Sequence, residues 1–242
     1  MKTITFASKK GGVSKTTSAL MTALLLSKDN RVLLIDLDSQ NALTDFFFEQ
    51  YQERTIYEAI KGELNFKDVI KQVSNNLFVI PSKLEFETID QFNKIGKEYF
   101  VKNEIELLKN DFDYVVIDTP PNLRSEAIIG LVASDIVVIP ARLEKMDTRA
   151  IDFTLEKINE IKKYYNPDLQ AVKILCTQYQ YQNRTVNDLS LENLKAKYDS
   201  MVLKTIIPFS SKISQFNFIG FDNTPPQVKE YQDLINEVLK WA

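Results

Sequence analysis

The sequence predicts an α/β fold in which a doubly wound, mostly parallel sheet is flanked by helices. Apolar runs recur at residues 3–7, 31–36, 77–81, 114–118, 136–140, 172–177 and 203–208, and each is continuous rather than alternating. That is the pattern of strands buried on both faces of a sheet. Amphipathic stretches separate the runs, and a repeated strand-then-helix order builds parallel sheets through crossover helices. With 242 residues and 44% apolar content, the chain is expected to form one domain over residues 1–242, with a core that needs no disulfides.

The elements follow in order. The run at 3–7 leads into Ser8-Lys9-Lys10-Gly11-Gly12-Val13-Ser14-Lys15-Thr16-Thr17, and an Ala- and Leu-rich helix is predicted over 16–27. The run at 31–36 ends in two aspartates, Asp36 and Asp38; the run at 114–118 ends in Asp118-Thr119-Pro120-Pro121. A helix over 148–165 spaces Ile151, Leu155, Ile158 and Ile161 on one face and stops before Pro167. The lone cysteine, Cys176, lies inside the run at 172–177 and reads as a small buried hydrophobe. Segments 178–188 and 209–224 are polar and read as loops. The C-terminal stretch 228–242 carries Glu230, Asp233 and Glu237 against Lys229 and Lys240, so it is expected to pack on the core rather than bind anionic lipid. In a doubly wound sheet, ligands sit beyond the carboxyl ends of the strands, so the loops after strands are where chemistry belongs.

Composition excludes several function classes. Histidine is absent, which removes Ser-His and Cys-His nucleophile pairs and imidazole metal ligands. Catalysis must use carboxylates, lysines, backbone amides and a bound metal. The N-terminus lacks the long apolar segment of a secretion signal, nothing approaches the roughly 20 apolar residues of a membrane span, and a single cysteine fits a reducing, cytoplasmic setting. The net charge of −3 means that any nucleic-acid contact needs a local patch. Residues 184–212 supply Arg184, Lys195, Lys197, Lys204 and Lys212 against Asp188, Glu192 and Asp199, which is a faint one.

The string after the first run carries the chemistry. Small residues let the backbone N–H groups of residues 11–17 (Gly11, Gly12, Val13, Ser14, Lys15, Thr16, Thr17) curl around phosphate oxygens, and the following helix N-terminus adds its positive dipole end. Lys15 is placed to reach the β- and γ-phosphates and Thr16 to put its hydroxyl on Mg²⁺. Two adjacent glycines alone would be a plain strand-to-helix turn. The full Lys-Gly-Gly-x-x-Lys-Thr-Thr string between a strand and a helix is a phosphate loop of the P-loop NTPase type. Ser14 stands where such loops usually have glycine, and a left-handed backbone there would cost a residue with a Cβ roughly 1–2 kcal/mol. Lys9 departs from the general pattern as well.

With Lys10 two residues before Gly12, the string resembles the deviant Walker A group of P-loop ATPases, and the chain as a whole resembles the ParA partitioning family within it. Asp36-Leu37-Asp38-Ser39-Gln40-Asn41 is similar to that family's Asp-Leu-Asp-Pro-Gln-Gly-Asn segment, with Ser39 replacing the proline. Tyr114 to Asp118 has the form of a Walker B strand, and Thr119-Pro120-Pro121 follows it as in ParA proteins. Ala133 to Pro140 with Glu144, Cys176-Thr177-Gln178-Tyr179 and Ile206-Ile207-Pro208 extend the similarity over nearly the whole chain.

The resemblance implies an ATP hydrolase, slow and partner-stimulated, that closes a homodimer around ATP and Mg²⁺. In that dimer Lys10 acts in trans on the partner's nucleotide, Asp36 supports the metal beside Asp118, Asp38 orients the attacking water, residues 119–124 form a switch loop, and Thr177 and Pro208 lie near the adenine. It also implies non-specific DNA binding on the nucleoid and a ParB-type centromere-binding partner. The alternatives are a MinD-like membrane-associated positioning ATPase and a nucleotide-binding pseudo-enzyme whose turnover is weakened by Ser14.

Overall fold

The computed structural model describes residues 1–143, 148–212 and 227–241. An eight-stranded sheet runs in the order β3-β4-β2-β5-β1-β6-β7-β8. Its strands are β1 (Lys2–Phe6), β2 (Val32–Asp36), β3 (Lys71–Gln72), β4 (Leu77–Ile80), β5 (Tyr114–Asp118), β6 (Ile136–Arg142), β7 (Ala171–Tyr179) and β8 (Val202–Pro208). All strand pairings are parallel except that between β3 and β4. The helices are α1 (Lys15–Leu26), α2 (Ala42–Phe47), α3 (Ile56–Lys61), α4 (Phe100–Glu106), α5 (Ser125–Val132), α6 (Thr148–Tyr164), α7 (Arg184–Tyr198) and α8 (Val228–Val238). All seven predicted runs are strands, with ends that shift by up to two residues. The doubly wound, mostly parallel fold is the one expected.

Strand alternation divides the core. In β2, Leu34 joins Ile4, Phe6, Val116 and Val138 under α1 and α8, whereas Leu33 and Ile35 face the opposite side with Val115, Ile117 and Ile129. On that same opposite side α6 packs Ile151, Ile158 and Ile161 against Val137, Ile139 and Ile174. Cys176 is buried in this layer, where loss of hydration pushes its thiol up to about 12. The C-terminal helix uses its apolar face as predicted, with Tyr231, Leu234, Ile235 and Val238 buried against α1 and β8.

Two expectations change. Segment 178–188 is not a loop throughout: β7 runs to Tyr179 and α7 begins at Arg184. The basic residues of 184–212 are partly neutralised, since Arg184 pairs with Asp188 and Lys197 with Asp152. Glu144 and most of 209–224 lie outside the described residues.

β1 is central, with β5 and then β2 on one side and β6 on the other. The winding direction therefore reverses at β1, and the crevice beyond its carboxyl end opens at that reversal. The loop that leaves β1 there is the Lys-Gly-Gly string.

Candidate nucleotide-binding site

The loop from Ser8 to Ser14 joins β1 to α1, and its backbone departs from ordinary geometry at two points. Gly12 has φ +70°, which costs a residue without a Cβ nothing. Ser14 has φ 65° and ψ 30°, a left-handed conformation at the first turn of α1. The geometry usual for a glycine is thus kept although the glycine is not. α1 has no acidic residue of its own in its first turn, so the helix itself favours an anion at the dipole's positive end.

A cavity of about 340 Å³ opens over this loop, lined by Lys10, Gly11, Gly12, Ser14, Lys15, Thr16, Thr17, Asp38, Pro121 and Gln178. Lys15 is 7% exposed, and its Nζ lies 3.9 Å from Asp118 Oδ1. A second cavity of about 270 Å³ shares Ser14, Thr17 and Gln178 with the first and continues to Pro208, Phe209, Gln227 and Tyr231. The Gln227 side chain donates to the Pro208 carbonyl, and its Oε1 is buried with no donor among the described residues.

The strand-end aspartates differ in what surrounds them. Asp36 and Asp118 sit side by side in the register of β2 and β5, both fully buried. Asp36 Oδ2 accepts hydrogen bonds from the Thr44 amide and hydroxyl at 3.0 and 2.6 Å, and Oδ1 accepts from the Asp38 amide at 2.9 Å. Among the described residues no hydrogen bond of regular geometry reaches either oxygen of Asp118. Burial pushes Asp118 up to about 6, while Lys15 and the Thr16 hydroxyl pull the other way. Burial, followed by the Asp118 charge, pushes Asp36 up to about 7. Asp118, buried beside one lysine and without a regular hydrogen-bond donor among the described residues, fits a divalent cation, which supplies the positive charge the protein does not.

Comparison with known proteins decides the kinship. A family model described as an AAA domain matches residues 1–171. The sporulation initiation inhibitor protein Soj of Bacillus subtilis is 31% identical over 248 residues, covering 98% of this chain and 98% of that protein. The chain belongs to the Soj/ParA family of ATPases. Among solved structures, a Borrelia burgdorferi protein assigned to plasmid partition and bound to AMPPNP superposes on this ParA-family chain with a TM-score of 0.84. It is 30% identical and covers 99% of this chain and 98% of its own. A cobyrinic acid a,c-diamide synthase of Mycobacterium smegmatis with ADP and magnesium has a TM-score of 0.86 at 25% identity, covering 99% and 94%. The same synthase has also been solved with an ATP analogue and magnesium.

The ParA-family chain brings most of its sequence-predicted residues together: Lys10, Gly11, Gly12, Ser14, Lys15, Thr16, Thr17 and Asp38 line the first cavity and Pro208 the second. Val13 is buried behind the loop. Asp36 does not line the cavity, and its oxygens are taken by Thr44 and Asp38. Thr177 is fully buried and spends its hydroxyl on the Val13 carbonyl at 3.0 Å, so it braces the loop rather than facing the second cavity. Sequence reasoning missed Gln178 and Gln227. The first follows directly on Thr177 at the end of a strand, a position that could have marked it. Nothing local in the sequence marks Gln227.

Proposed function

We propose that this chain is a partitioning ATPase that binds MgATP in the two joined cavities and hydrolyses it within an ATP-closed homodimer. The observation that carries the reading is Asp118: a fully buried carboxylate whose two oxygens accept no regular hydrogen bond among the described residues, 3.9 Å from Lys15, behind a loop held in phosphate-loop geometry. A structural carboxylate at 0% exposure would have donors, as Asp36 has.

The residues divide the work. Loop amides and the α1 N-terminus hold the phosphates, and Lys15 neutralises the β- and γ-oxygens. Thr16 and Asp118 would hold the metal, with Asp36 fixing Asp118's surroundings and the turn through Asp38. Mg²⁺ supplies charge neutralisation across the phosphates when bound. Among the described residues no cluster of three or more His, Cys, Asp or Glu could hold a metal alone, which suits an ion completed by substrate phosphate and water. Asp38, 7% exposed and lining the first cavity, orients the attacking water. Lys10 reaches across the dimer to the partner's nucleotide. The base occupies the second cavity, where Gln227 Oε1 can accept from an adenine amine. Turnover is slow and stimulated by a ParB-type partner, and the dimer holds DNA non-specifically on the nucleoid in the cytoplasm.

The MinD-like alternative has less support, because α8 already spends its apolar face on the core. The test is sizing by light scattering with ATP, with ADP, and after Lys10→Ala, alongside phosphate release. Dimerisation with ATP that weakens in Lys10→Ala is expected. A chain that stays one size in every condition removes the dimer mechanism, and dimerisation without phosphate release leaves the pseudo-enzyme. Filter retention of DNA at low salt with ATP tests the DNA claim.

A further inference from the structure

We propose that Gln178 is a positioning residue of the phosphate loop, whose amide holds Ser14 in its left-handed conformation and so compensates for the missing glycine. The proposal rests on the nucleotide-binding reading above.

Gln178 Nε2 donates to the Gly12 carbonyl at 2.8 Å and to Ser14 Oγ at 3.0 Å. Its neighbour Thr177 donates from Oγ1 to the Val13 carbonyl at 3.0 Å. Two consecutive residues at the end of β7 therefore hold three consecutive residues of the loop, from a distant part of the chain. In a trans peptide the C=O and the next N–H point in opposite directions. Fixing the Gly12 and Val13 carbonyls toward β7 turns the Val13 and Ser14 N–H groups the other way.

The contact with Ser14 has a further physical meaning. A left-handed backbone is disfavoured for any residue with a Cβ and persists only where the surroundings over-determine it. Here the serine hydroxyl itself is the handle: Gln178 grips the side chain of the residue whose backbone is strained. Glycine at this position would have neither strain nor hydroxyl. Gln178 is itself left-handed, with φ 54°, within the stretch of β7 between Cys176 and Tyr179 where the register against β8 shifts. It also lines both cavities, so it stands between the phosphate and base sites where a loop displacement would be felt in both.

The test is a double-mutant cycle read by calorimetry with MgATP on the full chain, using wild type, Gln178→Met, Ser14→Gly and the double variant. Methionine keeps the length and removes the donor. Loss of hydrogen bonds of this kind is expected to weaken binding by about tenfold when serine is retained at position 14. Ser14→Gly alone supplies the background without the strain, and its own affinity is the reference for the double variant. In the Ser14→Gly background the Gln178→Met loss should fall below about threefold, because the strain it restrained is gone. Thermal midpoints without nucleotide separate this from a general packing defect, which would lower stability and binding alike in both backgrounds. Equal losses in the two backgrounds, or no loss in either, overturn the proposal alone. No uptake by the wild-type chain overturns the nucleotide-binding reading and this proposal with it.

Discussion

Asp118→Asn is expected to make the protein more stable and unable to use magnesium. Asp118 is 0% exposed and its two oxygens have no hydrogen-bond donor of regular geometry among the described residues, so ionising it inside the fold is costly. Raising an aspartate from 3.8 to about 6 corresponds, at about 1.36 kcal/mol per pH unit, to about 3 kcal/mol lost to the native state at pH 7.5. Asparagine is nearly isosteric and carries no charge, but its amide is also left without partners, at a cost of about 1 kcal/mol. The net gain is about 2 kcal/mol, or a rise of about 4–8 °C in thermal midpoint for a chain of this size. The assay is thermal unfolding at pH 7.5, with and without MgATP. Wild type should gain about 2.7 kcal/mol at a ligand concentration a hundredfold above Kd, and the variant should gain little from adding magnesium to ATP. A variant that melts below wild type without nucleotide would mean that Asp118 is a structural carboxylate. One that keeps its magnesium-dependent stabilisation would mean that the metal is held elsewhere.

The same carboxylates set a pH dependence. Because burial raises both folded values above the ordinary 3.8, Asp118 to about 6 and Asp36 to about 7, their contribution is fully present below 3.8 and lost as pH rises through 6 and 7. Without magnesium and nucleotide the thermal midpoint should therefore climb as pH falls from 8 to 5.5, and the climb should flatten in Asp118→Asn; a fall over that range contradicts the assignment. Cys176, buried and pushed up to about 12, should resist iodoacetamide at pH 8 in the folded protein and react on unfolding, as mass spectrometry would show. Glu237 accepts from Lys204 N, Thr205 N and Thr205 Oγ1 at 2.8–2.9 Å along the edge strand β8. Glu237→Ala should cost about 2 kcal/mol in denaturant unfolding, and an unchanged midpoint would show that water replaces the carboxylate fully.

What the sequence disclosed and what it hid separate along one physical line. Strands buried on both faces announce themselves by composition, so β1, β2 and β5 were legible to within a residue, and the phosphate loop was legible because its spacing between a strand and a helix has few other uses. β3 was not, because Lys71 and Gln72 form a two-residue antiparallel edge with no apolar run. The start of α7 was hidden because its first turn, from Arg184 to Val186, is exposed and reads as a polar loop. The aspartates are the sharper case. Asp36 and Asp118 look alike in sequence, each closing an apolar strand, and the fold places them side by side. What distinguishes them is the supply of donors: the turn into α2 brings Thr44 back onto Asp36 with two hydrogen bonds, and no described segment does the same for Asp118. A sequence pattern records where the carboxylates are, but not which of them the rest of the chain has satisfied. A carboxylate kept buried and unsatisfied weakens the fold, and the metal and phosphate expected beside it would recover that energy on binding. The strained Ser14 poses the same question on the other side of the cavity, and there the chain carries its own remedy in the Gln178 amide.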